Sequence, residues 1–285
     1  MSMWNDLSWV ENIRGPVLSV FFENITLLGY PTFLILFISF GYFYWAPSRF
    51  SRVAMMLFIS GLINAFLKDF FQDPRPAIEF MLDPKVGTTY GWPSGHSQIA
   101  VTLWGLLAYE LKDKWISIGA VTLIIMIAFS RMYLGVHDLG DVASGLIIGA
   151  VILFIWHLGV TYKAYESLSK PQWLSVILVF QFLLYLFYPT HPGHELSIWF
   201  LGVMTGWFIG FSDISFNSIG IKKLFLSIVS IGFVFIAMVL ITQIEATISA
   251  TGLLGIAYSY ILGILFSFLV TQVIPRFWRI LKLAS

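Results

Sequence analysis

Apolar residues run in blocks along almost the whole chain, each near the roughly 20 residues that carry an α-helix across a bilayer, and polar residues collect in the breaks between them. Nine blocks are predicted as spanning helices: 27–46, 54–71, 95–111, 115–133, 140–160, 172–188, 196–211, 221–242 and 251–274. The breaks are short apart from 72–94, where Pro74, Pro76, Pro84, Gly87, Gly91 and Pro93 predict an ordered loop rather than a separate domain. The pattern predicts an all-α fold, a polytopic membrane helical bundle of about nine transmembrane helices.

Composition agrees with this pattern. The 285 residues are 58% hydrophobic and only 11% charged, with a mean hydropathy of +0.86, which excludes an ordinary water-soluble domain. The 16 Lys and Arg nearly balance 15 Asp and Glu, and no basic run is dense enough to follow a phosphate backbone, so no nucleic-acid partner is expected. The absence of cysteine excludes disulfide, iron–sulfur and thiol chemistry. Near the N-terminus, acidic and Trp residues stand where a secretory signal carries basic ones, so no cleavable leader is expected.

Basic residues also alternate between breaks. One set takes Arg49, Arg52, Lys112, Lys114, Lys163, Lys170, Lys222, Lys223, Arg276, Arg279 and Lys282; the other takes only Arg14, Arg75, Lys85 and Arg131. Cytoplasmic loops are the richer ones. The N-terminus is therefore expected outside, the C-terminus in the cytoplasm, and the chain as a multi-pass protein of the cell inner (plasma) membrane.

Three polar clusters interrupt the apolar pattern. Lys68 ends the second span and precedes Arg75-Pro76; Pro93-Ser94-Gly95-His96 opens the third; Ser130-Arg131, His137 and Asp141 join the fourth to the fifth. All fall on the same, outer side of the map drawn from loop charge. Lys68, Arg75 and Arg131 supply three cations suited to a dianion, the Arg fork matching two phosphate oxygens at once. Ser94, Gly95 and His96 begin a helix whose unpaired N–H groups and positive dipole end form an anion seat. His137 and Asp141 are four residues apart, so the carboxylate can take a proton from one imidazole nitrogen and leave the other as a nucleophilic lone pair. His96 is then the general acid for the leaving oxygen. Three cations and two histidines are a sufficient inventory for phosphoryl transfer without a metal, so no cofactor is expected.

The order and spacing of these residues resemble the type 2 phosphatidic acid phosphatase (PAP2) superfamily of integral-membrane lipid phosphatases. Its three-part signature is Lys, six residues, Arg-Pro; then Pro-Ser-Gly-His; then Ser-Arg, five residues, His, three residues, Asp. Every position is present over roughly 54–160. The resemblance implies His137 as nucleophile, Asp141 as its orienting partner, His96 as acid, and Lys68, Arg75, Ser94, Gly95 and Arg131 as phosphate ligands. It also implies metal-independent catalysis, a lipid phosphate substrate and a six-helix PAP2-type catalytic core. Residues 1–170 are expected to form that catalytic membrane domain, with 171–285 as additional transmembrane helices packed on it.

The expected function is hydrolysis of a phosphomonoester or pyrophosphate on a membrane lipid at the extracytoplasmic face, through a phospho-histidine. A lipid phosphotransferase would use the same intermediate, and a non-catalytic lipid-phosphate binding or transport protein would need the cations but not the oriented histidine. Plainer readings apply elsewhere. His191, His194 and Glu195 lie among Pro and Gly that read as a tight outer turn rather than a metal site. Gly145 and Gly149 read as close helix packing, and Arg276, Arg279 and Lys282 as a cytoplasmic anchor.

Overall fold

The computed structural model describes residues 6–86, 88–189, 198–211, 220–247 and 252–281. Among them the regular structure is helical and no strand occurs. In chain order the helices are α1 (Ser8–Ile13), α2 (Pro16–Thr26), α3 (Pro31–Phe40), α4 (Pro47–Phe71), α5 (Gly95–Ala100), α6 (Leu106–Leu111), α7 (Lys114–Tyr133), α8 (Leu139–Thr161), α9 (Lys170–Leu186), α10 (Ile198–Gly210), α11 (Ile221–Thr247), α12 (Gly252–Phe268) and α13 (Ile274–Ile280). Wider π-type turns at Val101–Gly105 and Leu269–Val273 carry α5 into α6 and α12 into α13.

Five of the described helices are long and apolar enough to cross a membrane, or up to six if a bent pair counts as one span, and Lys170–Leu186 and Ile198–Gly210 are shorter apolar helices. The described residues thus support a multi-pass membrane protein without providing nine full-length spans. The first span differs from its expected bounds of 27–46. Helix begins at Pro16, and Pro16–Gly29 and Pro31–Trp45 meet at 60°. Pro31 has no N–H to continue the ladder and pushes the residue before it out of the helical region; Tyr30 is accordingly extended, at φ −82° and ψ 147°. His191, His194, Glu195 and Lys282 lie outside the described residues.

The chain forms two compact units. The first comprises Met1–Phe33, Ile59–Leu168 and Tyr188–Leu196, and the second Leu34–Phe58, Ser169–Phe187 and Ser197–Ser285. In the first, α5 packs on α8 and α7, and α2 packs on α7. Gly145 and Gly149 make the α5–α8 approach possible: a Cβ at Gly145 would stand 2.5 Å from the Ser94 carbonyl oxygen, and one at Gly149 2.7 Å from that of Gln98. In the second unit, α10 packs on α12, where a Cβ at Gly206 would stand 2.7 Å from the Ile264 backbone. Buried Gln181 there donates to the Leu201 carbonyl at 3.1 Å and accepts from Thr205 and Tyr260 at 3.1 and 2.9 Å. Such bonds hold apolar helices together where lipid offers no hydrophobic drive.

Candidate active site

The three polar clusters meet in the first unit, at the ends of successive helices that share one end of the bundle: the end of α4, the start of α5, the end of α7 and the start of α8.

After α7 the chain reverses sharply. Gly135 adopts φ +69°, where a side chain would be strained and would meet the Phe80 carbonyl. The turn lets the Val136 and His137 amides donate to the Arg131 carbonyl at 3.1 and 3.3 Å. Asp138 then caps α8, its Oδ1 accepting the Asp141 amide at 2.8 Å. These local bonds place Asp141 in the first helical turn, where its Oδ2 lies 2.9 Å from His137 Nδ1. Both residues are only 2% exposed.

The His137 tautomer follows from its partners. A carboxylate can only accept, so Nδ1 carries the proton; Arg75 Nη1, 3.3 Å from Nε2, can only donate. Nε2 therefore presents its lone pair. Burial first, then the positive charges of Arg75, Lys68 and Arg131, hold His137 well below its ordinary value, so the imidazole is neutral at physiological pH.

The cations are fixed largely by backbone. Arg75 donates from Nε to the Thr89 carbonyl at 2.7 Å, from Nη2 to the Thr89 hydroxyl at 2.5 Å, and from Nη1 to the Val136 carbonyl at 2.8 Å. Lys68 is buried and donates to the carbonyls of Tyr90 and Gly91. Arg131 is 1% exposed; its Nη1 donates to the Thr26 hydroxyl and to Asp83 Oδ2, the latter at 3.0 Å. Burial alone would raise Asp83, but the Tyr30 hydroxyl and Arg131 outweigh it and hold the carboxyl below its ordinary value.

Ser94 and Gly95 stand at the start of α5. The Ser94 amide donates to the Asp141 carbonyl at 3.0 Å, tying α5 to the start of α8, and its hydroxyl accepts from Ser97 at 3.0 Å. A buried chain holds the helix from behind: Asn64 donates to Pro93 O and Gln98 Oε1 at 3.2 and 3.0 Å, and Gln98 donates to Ser60 O at 2.8 Å. His96 follows, its Nε2 buried with no partner among the described residues. On the Asp141 side lies a cavity of about 340 Å³ lined by Phe71, Asp73, Trp92, Asp138, Gly140 and Asp141. Burial, then neighbouring Asp138, push Asp73 up.

Lys68, Arg75, Ser94, Gly95, His96, Arg131, His137 and Asp141 therefore all belong to one region of one unit. Sequence reasoning missed the residues that hold them: Thr26, Tyr30, Asn64, Asp83, Thr89, Gln98 and Asp138. Asp138 was legible as a cap residue directly before an apolar helix. Thr26, Tyr30 and Asp83 carry no local signal, since their partners lie far away in the chain.

The fold and this cluster define a class: a polytopic helical membrane protein with cations, imidazoles and carboxylates gathered at one end of its helices. Residues 49–165 match the PAP2 superfamily, and over this segment the chain is similar to its members. It is 29% identical over 220 residues to lipid phosphate phosphatase delta of Arabidopsis thaliana, covering 69% of this chain and 52% of that protein. It is 29% identical over 156 residues to phosphatidylglycerophosphatase B of Bacillus subtilis, covering 50% of this chain and 75% of that one. The crystal structure of the transmembrane PAP2 type phosphatidylglycerolphosphate phosphatase from Bacillus subtilis superposes with a TM-score of 0.49 at 29% identity, over 55% of this chain and 83% of that chain. The chain thus spans about half the length of the Arabidopsis relative.

Proposed function

We propose that this protein is a metal-independent lipid phosphate phosphatase that cleaves a phosphomonoester or pyrophosphate from a membrane lipid through a phospho-histidine. The observation that carries the reading is the His137 geometry: Nδ1 is 2.9 Å from Asp141 and Nε2 faces Arg75 at 3.3 Å, which leaves a neutral imidazole with its lone pair toward a cation. The names of its relatives support the substrate class, since they include phosphatases of phosphatidylglycerophosphate, sphingosine-1-phosphate and lipid A.

In this mechanism the phosphate docks on Lys68, Arg75, Arg131 and the backbone amides at Ser94, Gly95 and His96. These cations balance the dianion and the charge spread over the equatorial oxygens. His137 Nε2 attacks phosphorus as the bond to the lipid oxygen breaks, and Asp141 stabilises the imidazolium that forms. His96, protonated once the phosphate dianion lies beside it, gives that proton to the departing oxygen, then takes one from the water that attacks the phospho-histidine and releases inorganic phosphate. Residues 1–170 form the catalytic domain and 171–285 the additional helices. The site opens at the extracytoplasmic face of the inner membrane, the side whose loops are poor in Lys and Arg, with the N-terminus outside and the C-terminus cytoplasmic.

The test is phosphate release by the detergent-purified chain over a panel of lipid phosphomonoesters and pyrophosphates, with EDTA, beside His137→Ala. Release that survives EDTA and disappears in the variant is expected. Turnover by His137→Ala overturns the nucleophile, loss with EDTA overturns metal independence, and no release from any lipid by folded protein overturns the hydrolase.

A further inference from the structure

Two of the site residues are held by parts of the chain that no motif includes. At the bend between α2 and α3, the Thr26 hydroxyl accepts a hydrogen bond from Arg131 Nη1. Tyr30 lies edge-on to the His96 ring, centroids 4.6 Å apart at 84°, and its ring centroid is 5.9 Å from the Arg131 guanidinium carbon. Its hydroxyl donates to Asp83 Oδ2 at 2.5 Å, the oxygen that also accepts Arg131 Nη1. Asp83 Oδ1 accepts the Lys85 amide at 3.2 Å. Gly29 is part of the same wall: a Cβ there would fall onto the His96 ring, meeting Cδ2 and standing 2.8 Å from Cγ.

What these contacts leave open matters as much as what they hold. Arg131 Nη1 is satisfied twice, while its Nε is buried without a partner, and His96 Nε2 is likewise buried without a partner among the described residues. Buried polar atoms are rarely left unpaired, and each such case calls for an explanation. These two have one in common, because a phosphomonoester offers an anionic oxygen to the first and a leaving oxygen to the second.

We propose that Thr26, Gly29, Tyr30 and Asp83 are positioning residues, a frame that aims Arg131 at the phosphate and His96 at the leaving group. The inference rests on the phosphatase reading above. Thr26, Gly29 and Tyr30 precede the segment matched to the superfamily, so the bend before Pro31 is a working part of the site. Asp83 and the Thr26 hydroxyl act through Arg131 on binding; Gly29 and the Tyr30 ring act through His96 on proton delivery.

These two arms separate with substrates of different leaving group. A lipid alkoxide needs a proton as it departs, whereas the nitrophenolate of p-nitrophenyl phosphate does not. In the full chain, Gly29→Ala displaces His96 and is expected to slow phosphoryl transfer from the lipid phosphate to His137 by about 10²-fold, the scale of general acid catalysis, while the pre-steady-state burst of nitrophenolate from p-nitrophenyl phosphate, whose departure needs no acid, is nearly kept. Asp83→Asn is expected to raise KM on both substrates about tenfold, as for a lost hydrogen bond to a charged group, and to weaken inhibition by inorganic phosphate in parallel. Thr26→Val should follow Asp83→Asn, and Thr26→Ser should recover most of the loss. Tyr30→Leu gives a second reading of the His96 arm if Gly29→Ala does not fold. Equal losses in the first, leaving-group step on both substrates in the Gly29→Ala and Tyr30→Leu proteins, or an unchanged KM in Asp83→Asn, overturn the frame. A wild-type chain inert on every substrate, or an active His137→Ala protein, instead overturns the phosphatase reading itself.

Discussion

Asp141→Asn isolates the contribution of the carboxylate to the histidine. The change keeps the shape of the side chain, and the two backbone bonds that seat residue 141, from its amide to Asp138 and from Ser94 to its carbonyl, are untouched. What changes is the 2.9 Å contact with His137 Nδ1, in a pair where each residue is only 2% exposed. A hydrogen bond to a charged group contributes about 1.5–3 kcal/mol, and about 1.4 kcal/mol is a decade in rate. Orientation and charge alone therefore account for roughly 10- to 100-fold. An amide that donates to Nδ1 would also move the ring proton to Nε2, against Arg75, and abolish the lone pair; in a Ser–His–Asp triad the equivalent change costs about 10⁴-fold in kcat. The expected fall in kcat is between about 10²- and 10⁴-fold, with KM little changed. Phosphate release under saturating substrate measures it, with helicity and Tm confirming the fold. A kcat within about threefold of wild type would refute the orienting role, because a 1.5 kcal/mol interaction already exceeds that factor.

Two further outcomes follow from the same geometry. Since burial and then Arg75 hold His137 below its ordinary value of 6.5, and the proposed nucleophile is the neutral form, the acid limb of the kcat/KM profile should lie below pH 6.5. Arg75→Gln removes a charge that opposes protonation, so the limb should move to higher pH; a limb that stays or moves lower refutes the assignment. Gly149→Leu should cost about 1–3 kcal/mol through overpacking, because even its Cβ would stand 2.7 Å from the Gln98 carbonyl. A thermal melt of the variant checks this, and an unchanged Tm would show that α5 and α8 do not need their close contact.

The sequence by itself determined the helical membrane class and which polar residues break its apolar pattern, because both are written in local terms. A span is a run of apolar residues, and His137 and Asp141 meet because helix geometry brings positions four apart onto one face. Gly145 and Gly149 were readable for the same reason. Only tertiary structure decided where the first helix bends and what that bend does. The apolar run continues through Tyr30 and Pro31 without a change in composition, yet the 60° turn there carries Thr26 and Tyr30 to His96 and Arg131. Asp83 read as one more polar loop residue, and became the buried partner of Arg131 only because the 72–94 loop folds back over the end of α7. Arg14, Arg75 and Arg131, cations of the loops otherwise poor in Lys and Arg, are there for a related reason. Arg14 reaches the carbonyls of Phe80 and Tyr133, and the other two are held by Thr89, Val136 and Asp83. Hydropathy counts a charge without its partners, and the partners of these three lie in segments distant along the chain.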